Sequence, residues 1–319
     1  MAKKWVCALN ESHVYDTPTA DLWCSKCPPL EGILMEKDES KVKPKPQPDN
    51  NPVNPEKLHI KGVGLYIMLI DSSGSMFMDN VFPGVPMSRA KMVSAQVASA
   101  IWETTTLNQK EDAYFLVMLF DHTLKPFINF MNVQNVLDKY KDVKSLEAAL
   151  YKEMETMKGA TDINKALKGA FNAAQNFING NLGSIGKVTP MEMSMLNFET
   201  GNDFTVPNVR CLIFTDGQHY VSQNAKENVL KENPFNNFEY KGEKINILMG
   251  AFHGPESDTG YLQLKSIMGT CPVHGETQFF HFSKASDTKR MRNLFRMSSG
   301  PGGLCEKCLS AYITKDPIQ

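Results

Sequence analysis

The stretch VGLYIMLIDSSGS, residues 63–75, decides the fold. Its first eight positions are apolar apart from Gly64, with no helical spacing, and eight residues suit a strand covered on both faces rather than a half-exposed one. The run stops abruptly at Asp71-Ser72-Ser73-Gly74-Ser75, so an acid and hydroxyls fall in the turn at the strand's carboxyl end. In open α/β sheets that is where ligands bind.

Downstream the pattern repeats with variations. Phe115–Phe120, Val209–Phe214, Ile245–Phe252 and Phe279–Phe282 read as further buried strands. Between them, Ala90, Val93, Val97 and Ile101 recur at helical steps behind Ser88 as a candidate N-cap, and Ile163, Ala166, Leu167, Ala170, Phe171 and Ala174 do the same. Strands alternating with amphipathic helices give an α/β class, a doubly wound and mostly parallel sheet. Lys125–Phe130 follows its predecessor too closely for a crossover helix and is expected as an antiparallel edge strand. Residues 180–207, rich in Gly with Met191, Met193 and Met195, fit neither period and are expected as an inserted loop.

The chain has 319 residues, a formal net charge of −1 and seven cysteines. A balance so near neutral lacks the basic footprint of a nucleic-acid binder. The apolar runs are strand-sized, well short of the ~20 residues of a membrane span, and Asn10, Glu11, Ser12 and His13 stand where a secretion signal would be apolar. A cytoplasmic protein, with neither nucleic acid nor membrane as partner, is the expectation. Four parts are expected: a zinc-knuckle segment at 1–34, a linker at 35–57 with Pro44, Pro46, Pro48, Pro52 and Pro55, the α/β domain at 58–300, and a Cys-x-x-Cys tail at 301–319.

Two more loops share the character of 71–75: Gly159-Ala160-Thr161-Asp162 before a helix, and Phe214-Thr215-Asp216-Gly217 ending a strand. Each alone has a plain structural reading, as turn or helix cap. All three fall on one sheet edge, and hydroxyls with one or two carboxylates suit a hard divalent cation such as Mg²⁺ or Mn²⁺. Asp-x-Ser-x-Ser, Gly-x-Thr-Asp and Thr-Asp-Gly in this order resemble the metal-ion-dependent adhesion site (MIDAS) of the von Willebrand factor A (vWA) family, over residues 58–300. The resemblance implies Ser73, Ser75 and Thr161 as direct ligands, with Asp71 and Asp216 acting through water. It implies a partner protein whose Asp or Glu completes the shell, and a binding module rather than an enzyme. The family also has the short antiparallel edge strand.

The alternative is a metal-dependent phosphatase or hydrolase using Asp71. A phosphotransferase usually has a second carboxylate two residues on, where this chain has Ser73. A serine hydrolase built from Ser73 or Ser75 with Asp216 and His219 lacks the Gly-x-Ser-x-Gly elbow.

Cys7, His13, Cys24 and Cys27 form one set of soft ligands in a segment too small for its own core, and Zn²⁺ would staple it. Cys271 and His274, with Cys305 and Cys308, form a second set: residues before the 279–282 strand and after the helix expected at 287–296 reach the same amino-terminal edge of the sheet. The competing arrangement joins the two Cys-x-x-Cys pairs, Cys24/Cys27 and Cys305/Cys308, in one Cys₄ site, and a redox Cys-x-x-Cys would need a thioredoxin-like setting. Zinc appendages on such a domain resemble bacterial tellurium-resistance, stress-response members of the family, which implies a scaffold beside kinases and phosphatases.

Overall fold

The computed structural model describes residues 4–7, 14–15, 34–37, 64–78, 87–104, 113–179, 195–197, 205–207, 209–298 (apart from 225, 241, 285 and 286) and 304–315. The chain divides into two units, Met1–Leu58 and His59–Gln319.

In the first unit, β1 (Lys4–Cys7) lies between β2 (Val14–Tyr15) and β3 (Leu34–Lys37), antiparallel to both. β3 carries the small sheet past residue 34, so its last strand takes in the first residues expected as linker. The remainder of the linker lies outside the described residues.

The second unit is built on a six-stranded sheet. Its strands are β4 (Gly64–Asp71), β5 (Ala113–Phe120), β6 (Leu124–Asn132), β9 (Val209–Thr215), β12 (Leu248–His253) and β13 (Phe279–Phe282), in the order β13-β12-β9-β4-β5-β6. Every neighbouring pair is parallel except β5 with β6, which is antiparallel. The edge strand therefore stands where Lys125–Phe130 was expected, lengthened at both ends. Two small hairpins accompany the sheet: β7 (Met195–Asn197) with β8 (Thr205–Pro207), and β10 (Glu239–Tyr240) with β11 (Glu243–Lys244). The first falls in the segment expected as an inserted loop, the rest of which is outside the described residues.

Alternation along β4 shows why the sheet is covered twice. Tyr66, Met68 and Ile70 join one core, with side chains from α1 (Arg89–Thr104), α2 (Val133–Tyr140), α3 (Val143–Met154), α6 (Asp287–Ser298) and α7 (Glu306–Lys315). Leu65, Ile67 and Leu69 join the other, with α4 (Ile163–Ile178) and α5 (Thr259–Ile267). Each face buries its own apolar set, which is why the strands read as continuous apolar runs. The boundary expected at residue 300 falls inside this unit, because Leu304, Cys305, Cys308 and Leu309 are buried in the first core. Four apolar or thiol side chains this close together have no reason to stay in water as a tail.

From central β4 the chain moves outward to β5 and β6 on one side, then returns to β9 on the other. The reversal of direction falls between β4 and β9, so the loops leaving Asp71 and Thr215 flank a crevice at the carboxyl edge. Among the described residues, no helix is long and apolar enough to cross a membrane.

Candidate metal centres at the two sheet edges

At the carboxyl edge, Asp71 ends β4 fully buried. Its Oδ1 accepts the Ser73 N–H at 2.7 Å and its Oδ2 accepts the Thr215 hydroxyl at 2.5 Å. The Ser73 and Ser75 hydroxyl oxygens lie 3.1 Å apart, and Ser75 donates to Asp216 Oδ1 at 2.7 Å. Thr161 joins them through Gly217: a methyl placed on that glycine would lie 3.6 Å from Thr161 Oγ1 and 3.8 Å from Ser75 Oγ. The structure thus brings Asp71, Ser73, Ser75, Thr161 and Asp216 into one cradle.

Several residues that sequence reasoning passed over hold this cradle. Asp121, just after β5, accepts from Thr123 N–H and hydroxyl through one oxygen and from Gly159 N–H, at 2.9 Å, through the other. Its carboxyl stays below the usual range: burial alone would raise it, and the Thr123 and Gly159 hydrogen bonds outweigh burial. On the far side, Gly260 of α5 packs so closely that a Cβ there would lie 2.5 Å from the Gly217 carbonyl oxygen. Arg89, the first residue of α1, donates through Nη1 to Asp216 Oδ2 at 2.8 Å and through Nε to His253 Nδ1 at 2.7 Å. A basic residue at a helix start carries no signal of a partner 127 positions away, and Asp121 reads locally as a turn.

Asp162 caps α4, accepting from Lys165 N–H, and does not enter the cradle. His219 is buried with Nδ1 against the Ile163 N–H and Nε2 against the Asn164 amide, so it fastens α4 rather than activating a serine.

Electrostatics favours a cation here. The Asp71 carboxyl is pushed up to about 7, first by burial and then by the nearby Asp216 charge, against the hydrogen bonds from Thr215 and Ser73. Asp216 is raised too, by burial above all, while Arg89 and Ser75 pull it down. Two buried carboxylates beside three hydroxyls form an all-oxygen donor set of the kind a hard divalent ion takes. The residues present fit such an ion.

At the amino edge, Cys271, His274, Cys305 and Cys308 come together, with all four ligand atoms within 4.8 Å of one another. The sulfurs of Cys271 and Cys308 are 3.8 Å apart, and those of Cys305 and Cys308 3.6 Å. His274 Nδ1 lies 3.2 Å from Cys308 and 3.4 Å from Cys305. A tetrahedron of sulfurs about 2.3 Å from zinc has edges of about 3.8 Å, whereas a disulfide would need roughly 2 Å. The four atoms therefore fit one tetrahedral ion. Hydrogen bonds from Cys305 and Cys308 hold the Cys271 thiol well down, and giving those bonds pushes the Cys305 thiol up.

Arg210 is completely buried on the same face as this cluster, opposite Tyr66 across the β4–β9 pair. Burial lowers its guanidinium to about 10, and Tyr66, Cys308 and Cys271 act against that. Cys211, next to it, faces the other core as a free thiol that burial pushes up. Of the other Cys/His set, Cys7 ends β1, while His13, Cys24 and Cys27 lie outside the described residues.

Fold and sites together define a doubly wound α/β domain with an oxygen-lined cradle at one strand edge and a thiol–imidazole cluster at the other. No family model matches the chain, and no curated protein matches it. Solved structures similar to it include a von Willebrand factor type A protein from Catenulispora acidiphila (15% identity, TM-score 0.40, covering 75% of this chain and 43% of that one). Another is proximal thread matrix protein 1 from the mussel byssus with a zinc-occupied MIDAS motif (14% identity, TM-score 0.40, 74% and 48%). A third is the ArnB paralog VWA2 from Sulfolobus acidocaldarius (10% identity, TM-score 0.35, 73% and 45%). The match spans less than half the length of each of these structures. At such identities, what those proteins bind remains a property of those proteins.

Proposed function

We propose that the carboxyl edge is a Mg²⁺ or Mn²⁺ site through which the chain binds an aspartate or glutamate of a partner protein. Ser73, Ser75 and Thr161 would ligate the ion directly, with Asp71 and Asp216 holding its waters. The observation that carries the reading is the convergence of those three hydroxyls on two buried carboxylates from separate loops. The ion would supply an electrophilic position that a carboxylate can occupy.

A binding role fits better than catalysis. Asp71 is fully buried with one oxygen held by the Ser73 N–H and the other by the Thr215 hydroxyl, a setting that suits an anchored acceptor better than an exposed nucleophile, and the His219 ring is spent on α4. The surface around the cradle also suits a macromolecule. Tyr220, bridged to Thr161, and Leu262, two residues beyond Gly260, are exposed large apolar side chains, as is Met78 after the first loop. Apolar side chains around a polar centre are what protein interfaces bury.

We further infer that Cys271, His274, Cys305 and Cys308 hold Zn²⁺ in a closed shell that ties the chain after α6 to the sheet, and that Cys7, His13, Cys24 and Cys27 hold a second zinc. A scaffold role in the cytoplasm, in stress response beside kinases and phosphatases, is the wider proposal.

The test is Mn²⁺ binding by electron paramagnetic resonance, comparing wild type with the Ser73→Ala/Ser75→Ala double variant. Binding of one Mn²⁺ to wild type alone is the expected result. Equal binding by both removes the carboxyl edge as the site. A pull-down in Mg²⁺ with the same pair then identifies proteins retained only by wild type.

A further inference from the structure

Among the described residues, the oxygen cradle contains one permanent positive charge of its own. Arg89 reaches into it from the start of α1, with its side chain only 17% exposed, and grips the fully buried Asp216 carboxylate. Its second hydrogen bond, to His253 Nδ1, fixes the plane of the guanidinium. His253 adds no charge at neutral pH: burial first, and Arg89 next, hold its imidazole down to about 4. Of the other carboxylates described at this edge, Asp121 accepts from Thr123 and Gly159 N–H, Asp162 from Lys165 N–H, Asp258 from Gly260 N–H and Asp287 from Ser283 and Lys284 N–H, all outside the cradle. Of these, only the charge of Asp258 is felt at Asp216.

Within the cradle, with both carboxyls ionised as a cation requires of them, two carboxylates against one guanidinium leave a single negative charge. A dication turns that into a single positive charge, and one carboxylate from outside cancels it. Without the guanidinium the loaded cradle would already be neutral, and an arriving carboxylate would have to be buried as an uncompensated anion. We propose that Arg89 is a positioning residue that sets the charge of the loaded site, weakening its hold on the cation so that the loaded site selects an acidic ligand. This deepens the cation-site reading and rests on it.

The proposal makes two effects run in opposite directions. Replacing Arg89 by an uncharged side chain removes repulsion from the cation and attraction for the anion that follows. The Arg89→Met variant is expected to bind Mn²⁺ at least about fivefold more tightly than wild type. Its Mn²⁺-loaded form is expected to bind glutarate, a minimal acidic probe, at least about fivefold more weakly, read from paramagnetic broadening of the glutarate carbon signals. Arg89→Lys, which keeps the charge but not the guanidinium geometry, should follow wild type in both measurements. If Arg89→Met loses affinity for Mn²⁺ and glutarate together, or changes neither, Arg89 is only a strut for the loop and the proposal is overturned. Arg89→Lys behaving as Arg89→Met overturns it as well. Should Arg89→Met fail to fold, Arg89→Gln is read in its place. A wild type that binds no Mn²⁺ refutes the cation site itself, a different failure from either of these.

Discussion

At the carboxyl edge the polar side chains come from three loops, one of which meets α5 closely where Gly217 lies against Gly260, and every donor is an oxygen. At the amino edge they come from a hairpin before β13 and the start of α7, and the donors are three sulfurs and an imidazole nitrogen. The amino-edge set is complete in itself: four ligand atoms at tetrahedral spacing, on three buried cysteines and the half-buried His274, leave no position for an outside group. The carboxyl-edge set is not, because a hard ion takes about six oxygens and this cradle has three hydroxyls and two carboxylates already engaged in hydrogen bonds. On the proposed reading, one sheet thus carries a closed site that would serve the fold and an open one that would serve a partner.

The largest effect that would break this comparison belongs to the closed site. Cys308→Ser is expected to lower zinc content by one equivalent per chain and to cost on the order of 5 kcal/mol in denaturant unfolding, since ligand loss also undocks Leu304 and Leu309. Unchanged zinc by elemental analysis would show that these four residues are not its ligands.

The open site should show itself through pH. Asp71 rises from 3.8 to about 7 in the folded chain, so between those values the folded state holds a proton that the unfolded state has released. In the absence of added Mg²⁺ or Mn²⁺ its contribution to stability is therefore present at low pH and lost as pH climbs to 7, by up to about 4 kcal/mol. Unfolding of wild type and Asp71→Asn at pH 5 and pH 8 measures it. The variant should show a shallower slope, keeping only what the raised Asp216 carboxyl contributes, and saturating Mn²⁺ should diminish the slope in wild type.

Gly260→Ala sharpens the contrast without touching a ligand. The new methyl meets the Gly217 backbone, which cannot rotate away as a side chain can, and a cost of about 2 kcal/mol is expected. Calorimetry should find Mn²⁺ affinity reduced while zinc content holds. The smallest effect is the control: Asp142→Ala removes the cap of α3, which accepts the Ser145 N–H at 2.7 Å, and should cost about 1 kcal/mol with both metal contents unchanged.

What could be read in the sequence follows from how local each signal is. β13 was legible to the residue and β4 to within one, because a strand buried on both faces writes itself as an unbroken apolar run. Lys125–Phe130 was legible as an edge because the chain between it and β5 is too short to cross the sheet. Asp-x-Ser-x-Ser and Thr-Asp-Gly stood out because each loop leaves a strand at a recognisable boundary. Arg89, Asp121 and Gly260 were not legible. Their significance lies in partners 127, 38 and 43 positions away, and nothing next to them in the chain marks the contact. Burial of Leu304 and Leu309 was hidden for a related reason: Cys305 and Cys308 could be read as partners of Cys271, but nothing local in two leucines after a Gly-rich stretch shows that they pack into the core beside that set.

The length of β4 has a consequence for how the two ions act on each other. Eight residues at about 3.3 Å each separate the edges by roughly 25 Å, well beyond the ~7–10 Å within which side chains couple through shared partners. Loading one edge should leave the affinity of the other untouched, and variants at opposite edges should be thermodynamically additive, with a coupling energy near zero. With both proposed ions bound, the sheet would in that sense be an insulator, letting the chain exchange the outer ion with the surroundings while the one beside its core stayed in place.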